Sequence, residues 1–297
     1  MPDPRGERYG ALHTPLLQWY AEARRDLPWR HPECSPWGVL VSEVMLQQTP
    51  VARVLPVWTR WMTLWPTPSA LASASPGEAV REWGRLGYPR RALRLHAAAT
   101  TIREEHGGEV PAEEATLRTL PGIGDYTAAA VAAFAFGRRA TVVDTNVRRV
   151  QARAVTGTAL PAPSLTRAEV DLATALLPDD DVETSTWNVA VMELGALVCT
   201  ARAPRCGDCP VAHLCAWRLA GYPPYDGPPR RGQAWEGTDR QCRGRIVQAL
   251  REAHGPVPGA ALAALWPDGA QHERCLGALL HEGLVEALAD DRFQLPS

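Results

Sequence analysis

The 297-residue chain contains no lysine; all 31 of its basic residues are arginine. That excludes chemistry that needs a lysine amine, such as Schiff-base formation, and leaves the α-amino group of residue 1 as the only primary amine. With the Ala-rich helices, the absence reads as the mark of a GC-rich coding genome. No run of about 18 apolar residues occurs, which excludes a hydrophobic membrane-spanning helix. The opening "MPDPRGERYG" lacks the apolar core of a signal peptide. The expected location is therefore cytoplasmic, in the bacterial cytosol, with no membrane partner. Charge of either sign is scarcely in excess, at −2, so composition alone does not announce a nucleic-acid partner.

Cysteine, by contrast, is concentrated. Four of the seven lie in "CTARAPRCGDCPVAHLC", spaced Cys199-x6-Cys206-x2-Cys209-x5-Cys215. An odd total and a reducing compartment fit poorly with a disulfide framework. Four close thiols fit a metal or a cluster, and the spacing alone leaves structural zinc and iron–sulfur both open. Cys34, Cys242 and Cys275 lie outside the array and read as ordinary free thiols, mostly buried. Arginines cluster in "GRLGYPRRALRLH", "GRRATVVDTNVRRVQAR" and "PPRRGQ", while acidic residues gather in "LPDDDVE". One such cluster is usually a solvated face; three point equally to a basic surface.

Helical signals dominate. Ser35-Pro36 opens one helix through "WGVLVSEVMLQQ", and Thr49-Pro50 opens "VARVLPVWTRWMTLW", which Pro56 is expected to bend. Three shorter helices follow, in "TPSALASA", "SPGEAVREWGRLG" and "PRRALRLHAAATTIREEHGG". Two helical runs flank Leu120-Pro121-Gly122-Ile123-Gly124, then a β-like "ATVV" ends at Asp144 before "NVRRVQARAV". Further helices lie in "RAEVDLATALL" and "STWNVAVMELGALVC". After Cys215, "GYPPYDGPPRRGQAWEG" is a Pro/Gly-rich linker. Three helices and two short strands around an Asp290-Asp291 turn complete the outline of a small winged helix.

The "LPGIG" hairpin is a phosphate-gripping element. Gly122 and Gly124 allow a tight turn and a close backbone approach, the next helix offers free N–H groups, and Asp125 is placed to cap it. Glu43, in "SEVMLQQT", sits on a helix among apolar neighbours. Asp144 ends "TVVD" at a helix start, where it reads equally well as a simple cap. Breaking an N-glycosidic bond calls for a proton donor to the leaving base and a negative charge facing the oxocarbenium-like sugar. A partly buried Glu43 suits the acid, and Asp144, favoured as an anion by helix N–H groups, suits the second role.

These stretches together resemble the helix-hairpin-helix DNA glycosylases that carry an iron–sulfur cluster, and among them the adenine DNA glycosylases of the MutY type. The likeness is carried by "LPWR", "SEVMLQQT", "WGRLGY", "LPGIGDYTAAAV", "VVDTNVRRV", "MELGALVC" and the four cysteines, over roughly residues 16–218. It implies an all-α fold, with a six-helix barrel domain plus an iron–sulfur helical domain over residues 1–218. A linker over 219–237 and a winged-helix-like domain over 238–297 would follow. It implies a [4Fe–4S] cluster on Cys199, Cys206, Cys209 and Cys215, fixing a loop whose Arg202 and Arg205 can meet DNA phosphates. Glu43 matches the acid that protonates adenine, and Asp144 the carboxylate that stabilises the sugar cation. Asn146 matches a polar residue beside it. Tyr126 stands where the bifunctional relatives keep a lysine, so the enzyme is expected to leave the abasic site uncut. Gln48 and Tyr88 match residues that wedge into the stack opposite the extruded base, which they would read together with Thr49, and Trp29 and Arg30 match the pocket wall around the flipped adenine. The partner implied is double-stranded DNA with adenine opposite 8-oxoguanine or guanine, bound by a monomer.

The sequence also departs from that pattern. Pro89 replaces a frequent second Tyr, and Val189 follows Asn188 where Gln or Glu often touches the base. The tail is much shorter than the usual Nudix-like domain; Arg240, Arg243 and Arg245 in it offer phosphate contacts, with packing against the catalytic part as the equal alternative. Other readings of the chain are a glycosylase of the same fold acting on another base, such as mismatched thymine, or a non-catalytic zinc- or cluster-bearing DNA-binding protein.

Overall fold

A computed structural model describes residues 9–228 and 235–297. Arg230 and Arg231 of the "PPRRGQ" cluster, and the first eight residues of the expected catalytic segment, lie outside the described residues. The described chain forms helices α1 (His13–Ala23), α2 (Pro36–Leu46), α3 (Val51–Leu64), α4 (Pro68–Ala72), α5 (Pro76–Glu82), α6 (Arg90–Glu105), α7 (Glu114–Leu117) and α8 (Asp125–Phe136). It continues with α9 (Thr145–Gln151), α10 (Arg167–Ala175), α11 (Asp181–Leu197), α12 (Ala216–Leu219) and α13 (Asp239–Glu252). Strand β1 (Val257–Pro258), helices α14 (Gly259–Ala263) and α15 (Gly269–His281), and strands β2 (Glu286–Leu288) and β3 (Arg292–Gln294) close the chain. No helix among the described residues is long and apolar enough to cross a membrane.

These elements cluster into two compact units that alternate along the sequence. One holds described residues 9–39, 112–118 and 124–228; the other holds 40–111, 119–123 and 235–297. The expected division into consecutive segments (1–218, 219–237, 238–297) follows chain order, whereas the compact units are interleaved, with the tail clustering with residues 40–111.

In the first unit, α11 is the central element. Leu16 and Tyr20 of α1, Val147 and Val150 of α9, and Trp187, Val191 and Leu194 of α11 form one core with Val211. His13 meets Trp187 edge-on at 4.7 Å and bonds the Leu176 carbonyl. α8 is buried from Thr127 to Ala133, so its small side chains let neighbours approach on every side. It stops at Gly137, whose φ of 63° is the left-handed closure of a helix end.

In the second unit, Trp61, Trp65 and Trp83 pack edge to face, with the Trp61 indole donating to the Glu82 carbonyl. α5 begins with a capping box in which Ser75 and Glu78 satisfy each other's backbone. The tail has its own core, including Cys242, Ile246, Leu250, Leu262, Leu279 and Phe293. Its three strands pair antiparallel in the order β1-β3-β2. The expected hairpin is present, with both Asp290 and Asp291 at positive φ in the turn, and β1 adds a strand that two residues of sequence could not announce.

Three local expectations are corrected. Residues 140–143 form no strand, because the stretch is extended without a pairing partner among the described residues. Thr49 does not cap α3; Pro50 holds that position and the Thr49 hydroxyl donates to the Gln47 and Leu86 carbonyls instead. Asp125 is the first residue of α8 rather than its cap, with an exposed carboxylate facing Arg118.

Candidate active site and cluster loop

Asp144 caps α9. Its Oδ1 accepts the N–H groups of Asn146 (2.8 Å) and Val147 (2.7 Å), and its Oδ2 accepts the Asn146 amide (2.7 Å). An Asp before a helix start folds this way locally because its short side chain reaches the orphan donors of the first turn. These hydrogen bonds favour the anion, as the sequence leads one to expect, and desolvation opposes them. Burial pushes the Asp144 carboxyl above its ordinary value, against the three hydrogen bonds and the nearby Arg149 guanidinium. A carboxylate poorly solvated and without a direct cationic partner is a strong ligand for a developing cation.

Asn146 is fixed in turn. Its carbonyl oxygen accepts Arg149 Nη2 (2.7 Å), and the same guanidinium donates to the Gly195 (2.6 Å) and Cys199 (2.7 Å) carbonyls. Gly195 is required at that place, since a Cβ there would stand 2.6 Å from Asn146 Cβ. Arg149 and Gly195 thus join the Asp144 cap to the start of the cysteine loop, roles the sequence reading did not assign. Tyr126 is the second residue of α8 and is half-buried.

Trp29 and Arg30 lie in the short 3₁₀ turn Pro28–Arg30, with Trp29 buried. Arg30 is committed to Glu193, whose carboxylate accepts Arg30 Nη1 (3.0 Å) and Nη2 (2.8 Å), Arg25 Nε (2.8 Å) and Nη2 (2.6 Å), and the Arg25 N–H (2.9 Å). Burial alone would raise Glu193, but the two guanidiniums outweigh it and hold the carboxyl down at about 2. Glu193 and Arg25 were also missed; the available signal was an acid in the middle of an otherwise apolar helix. Val189 is half-buried against the core of this unit, and the Asn188 amide is spent on the Ala140 carbonyl (2.9 Å).

In the second unit, Glu43 is buried in α2 among Leu40, Val41, Val44 and Met45. Gln48 and Tyr88 sit in two turns and share an unusual backbone, with φ of 55° and 47°. Tyr88 is 48% exposed, which settles it as a surface aromatic rather than a core one. Arg91 knits the two turns together. Its buried guanidinium donates to the carbonyls of Val44 (2.9 Å), Gln47 (2.6 Å) and Gly87 (3.2 Å) and to the Thr49 hydroxyl (3.2 Å). It closes the end of the helix that carries Glu43, where carbonyls lack intrahelical donors. Gly122 turns at φ 78°, and a Cβ there would strike the Arg94 side chain at 2.6 Å. Gly124 has φ −96°, so it serves as the extended cap of α8 rather than as a second left-handed turn.

Cys199, Cys206, Cys209 and Cys215 are free, partly buried thiols that face one another closely enough for their charges to interact. Burial and the neighbouring thiols push Cys209 up to about 11. No group of three or more His, Cys, Asp or Glu among the described residues is gathered tightly enough for a single metal ion. Four convergent thiols are a donor set that an iron–sulfur cluster accepts. Arg153 lies buried against the loop, donating to Cys199 Sγ (3.4 Å) and to the Thr200 carbonyl (2.7 Å). Of the two loop arginines, Arg202 is exposed, and Arg205 donates to the Leu197 carbonyl while lying 3.7 Å from Asp208.

Comparison with known proteins adds three findings. Residues 41–173 match the family described as the HhH-GPD superfamily of base excision DNA repair proteins, and residues 199–215 match the iron–sulfur binding domain of endonuclease III. The chain is 58% identical to the adenine DNA glycosylase of Mycobacterium tuberculosis (strain ATCC 25618 / H37Rv), covering 100% of this chain and 97% of that protein. It is 56% identical to the adenine DNA glycosylase of Mycolicibacterium smegmatis, covering 94% of each. Among solved structures, a thermostable thymine-DNA glycosylase superposes with a TM-score of 0.65 at 27% identity, over 73% of this chain and 100% of the other.

Proposed function

Since the chain belongs to the adenine DNA glycosylase family within the HhH-GPD superfamily of base excision DNA repair proteins, we propose that it removes adenine mispaired with 8-oxoguanine or guanine in double-stranded DNA, acting as a monomer. The observation that supports the site assignment is the half-buried Asp144 carboxylate, held at both oxygens on the start of α9. Identity above one half to adenine glycosylases favours adenine over the thymine suggested by the more distant structural neighbour.

The adenine must leave the stack, because its glycosidic bond is out of reach inside a duplex. Gln48 and Tyr88 would wedge into the stack opposite the extruded base and, with Thr49, read the opposite base, and Trp29 and Arg30 would wall the adenine pocket. Glu43, a carboxyl buried in α2, protonates the leaving base. Asp144 stabilises the sugar cation as the bond breaks, and Asn146 keeps its Oδ2 in place. Tyr126 offers no amine and the chain has no lysine, so the product is an uncut abasic site. Gly122 and Gly124 would bring backbone N–H groups to a DNA phosphate. Cys199, Cys206, Cys209 and Cys215 hold the [4Fe–4S] cluster, which fixes the loop that carries them. The cytoplasm, with its reducing thiol pool, is the compartment that suits them.

The test is a panel of duplexes with each mismatch under single-turnover conditions, with Glu43→Gln as control. Adenine release is expected, with the variant reduced on the order of 10²–10⁴-fold and DNA binding largely kept. Release of thymine but not adenine, or near-normal turnover by the variant, would overturn the reading.

A further inference from the structure

The tail grips the segment that carries Tyr88 from both ends. On α5, the Gly77 N–H donates to the Pro296 carbonyl (2.7 Å), and a Cβ on Gly77 would stand 2.3 Å from that oxygen. Arg251 of α13 donates Nε to the Val80 carbonyl (2.9 Å). Arg81 returns the contact, donating to the carbonyls of Arg251 and, at 3.1 Å, Ala253. Beyond the turn, Arg90 lies 3.8 Å from Glu282, whose carboxylate is also held by Arg243. Between these two anchorages lie residues 83–89, steadied from inside by Trp83 and Arg91, both of which donate to the Gly87 carbonyl.

Arg251 costs the tail stability. Burial pulls its guanidinium down to about 10, no carboxylate faces it, and Nη2 is buried without a partner. A residue chosen only to fill a core would be apolar. Meanwhile the surfaces with which a winged helix meets DNA are ill suited to phosphate. The exposed face of α15 carries Glu273, Arg274, Gly277 and His281, and Arg274 is paired with Asp239. The hairpin tip is Asp290-Asp291, whose two carboxylates outnumber the single exposed Arg292 beside them. Of the three arginines that offered phosphate contacts, Arg243 is paired with Glu282, Arg245 donates to the Leu265 carbonyl, and Arg240 stacks on Trp235.

We propose that the winged-helix-like tail is a brace for the Tyr88 turn: by clamping α5 and Arg90 it sets where Tyr88 enters the stack, and so tunes discrimination of the base opposite the adenine without touching that base. This rests on the reading of Tyr88 as the residue that enters the stack. The tail's part is positioning, exerted through Arg251 and Glu282.

The test uses the full chain with Arg251→Met, Glu282→Gln, Tyr88→Ala and the two double variants. Single-turnover rates on 8-oxoguanine:adenine and guanine:adenine duplexes yield a discrimination ratio for each. Each tail variant is expected to change the ratio roughly three- to tenfold, the size of coupling between contacting groups, and to have no further effect in the Tyr88→Ala background. Glu282→Gln keeps the size and shape of a half-buried side chain and keeps the test open should Arg251→Met fail to fold. If Tyr88→Ala changes the ratio while both tail variants leave it unaltered, or if their effects simply add to its own, the brace is refuted and the wedge reading stands. If Tyr88→Ala itself leaves the ratio unchanged, the wedge reading falls and the brace with it.

Discussion

Asp144, half-buried, and Glu193, buried, are carboxylates of the same compact unit, and their protons are held in opposite ways. Glu193 accepts from two guanidiniums, and its carboxyl is drawn down to about 2. Asp144 accepts only from neutral N–H donors, with Arg149 acting through Asn146, and burial wins. Burial penalises both charges; what differs is a full countercharge in contact. Glu193 is accordingly a structural anion whose charge is used up on Arg25 and Arg30. Asp144 keeps its charge unspent, as the proposed contact with a cationic sugar requires.

Removing the Glu193 carboxylate should have the largest effect. Glu193→Ala leaves two guanidiniums facing each other in a half-buried site, and a loss of about 3–5 kcal/mol in folding stability is expected by chemical denaturation. A loss below about 1 kcal/mol would mean that the pair is no more than a surface contact. Asp144→Asn should do the reverse. Its rate of base release should fall on the order of 10²–10³-fold, while the melting temperature at neutral pH stays level or rises, because Asn also caps and carries no buried charge. A variant that melts early but cleaves normally would reassign Asp144 as a cap alone.

The pH dependence of stability separates the two groups further. Glu193 binds its proton more weakly folded than unfolded, so its contribution is complete above about 4.5 and drains away as pH falls towards about 2, a change of about 3 kcal/mol. Asp144 binds its proton more tightly folded, so its cost appears as pH rises above the ordinary aspartate value and is absent below it. Stability curves of Asp144→Asn and wild type should therefore converge in acid and part at neutral pH. Curves that part in acid instead would reverse the sign assigned here. The smallest effect is expected from Arg25→Met. Arg25 is partly solvent-screened and Arg30 remains to hold Glu193, so about 1–2 kcal/mol should be lost, with the acid limb moving to higher pH.

Much of the site was legible because its residues advertise themselves locally. An Asp between an extended run and a helix start caps that helix whatever lies around it, and Asp144 does so. A glycine hairpin between two helices was equally plain, although only Gly122 needs its conformational freedom. Four cysteines within seventeen residues must converge when the loop closes. Arg149, Arg91 and Glu193 were not legible, since an arginine's partners are carbonyls and carboxylates far away in sequence: Arg91 reaches back to Val44, and Arg25 across to Glu193. Asp125 misled because a carboxylate beside a helix start is a cap only if its own backbone is still extended, and here Gly124 takes that conformation.

By itself the sequence determined the chemistry on offer: four thiols for a cluster, an acid on an apolar helix, an aspartate at a helix start, and no lysine amine. Those follow from residue identity and short-range spacing, which survive any arrangement of the rest. The tertiary structure alone decided which charges are spent and which remain available, because desolvation and pairing depend on what folds over each group. It likewise decided the tail's place. Arg251 and Glu282 have no local signal for the Tyr88 turn, and only the packing of α13 and α15 beside α5 and α6 brings them to it.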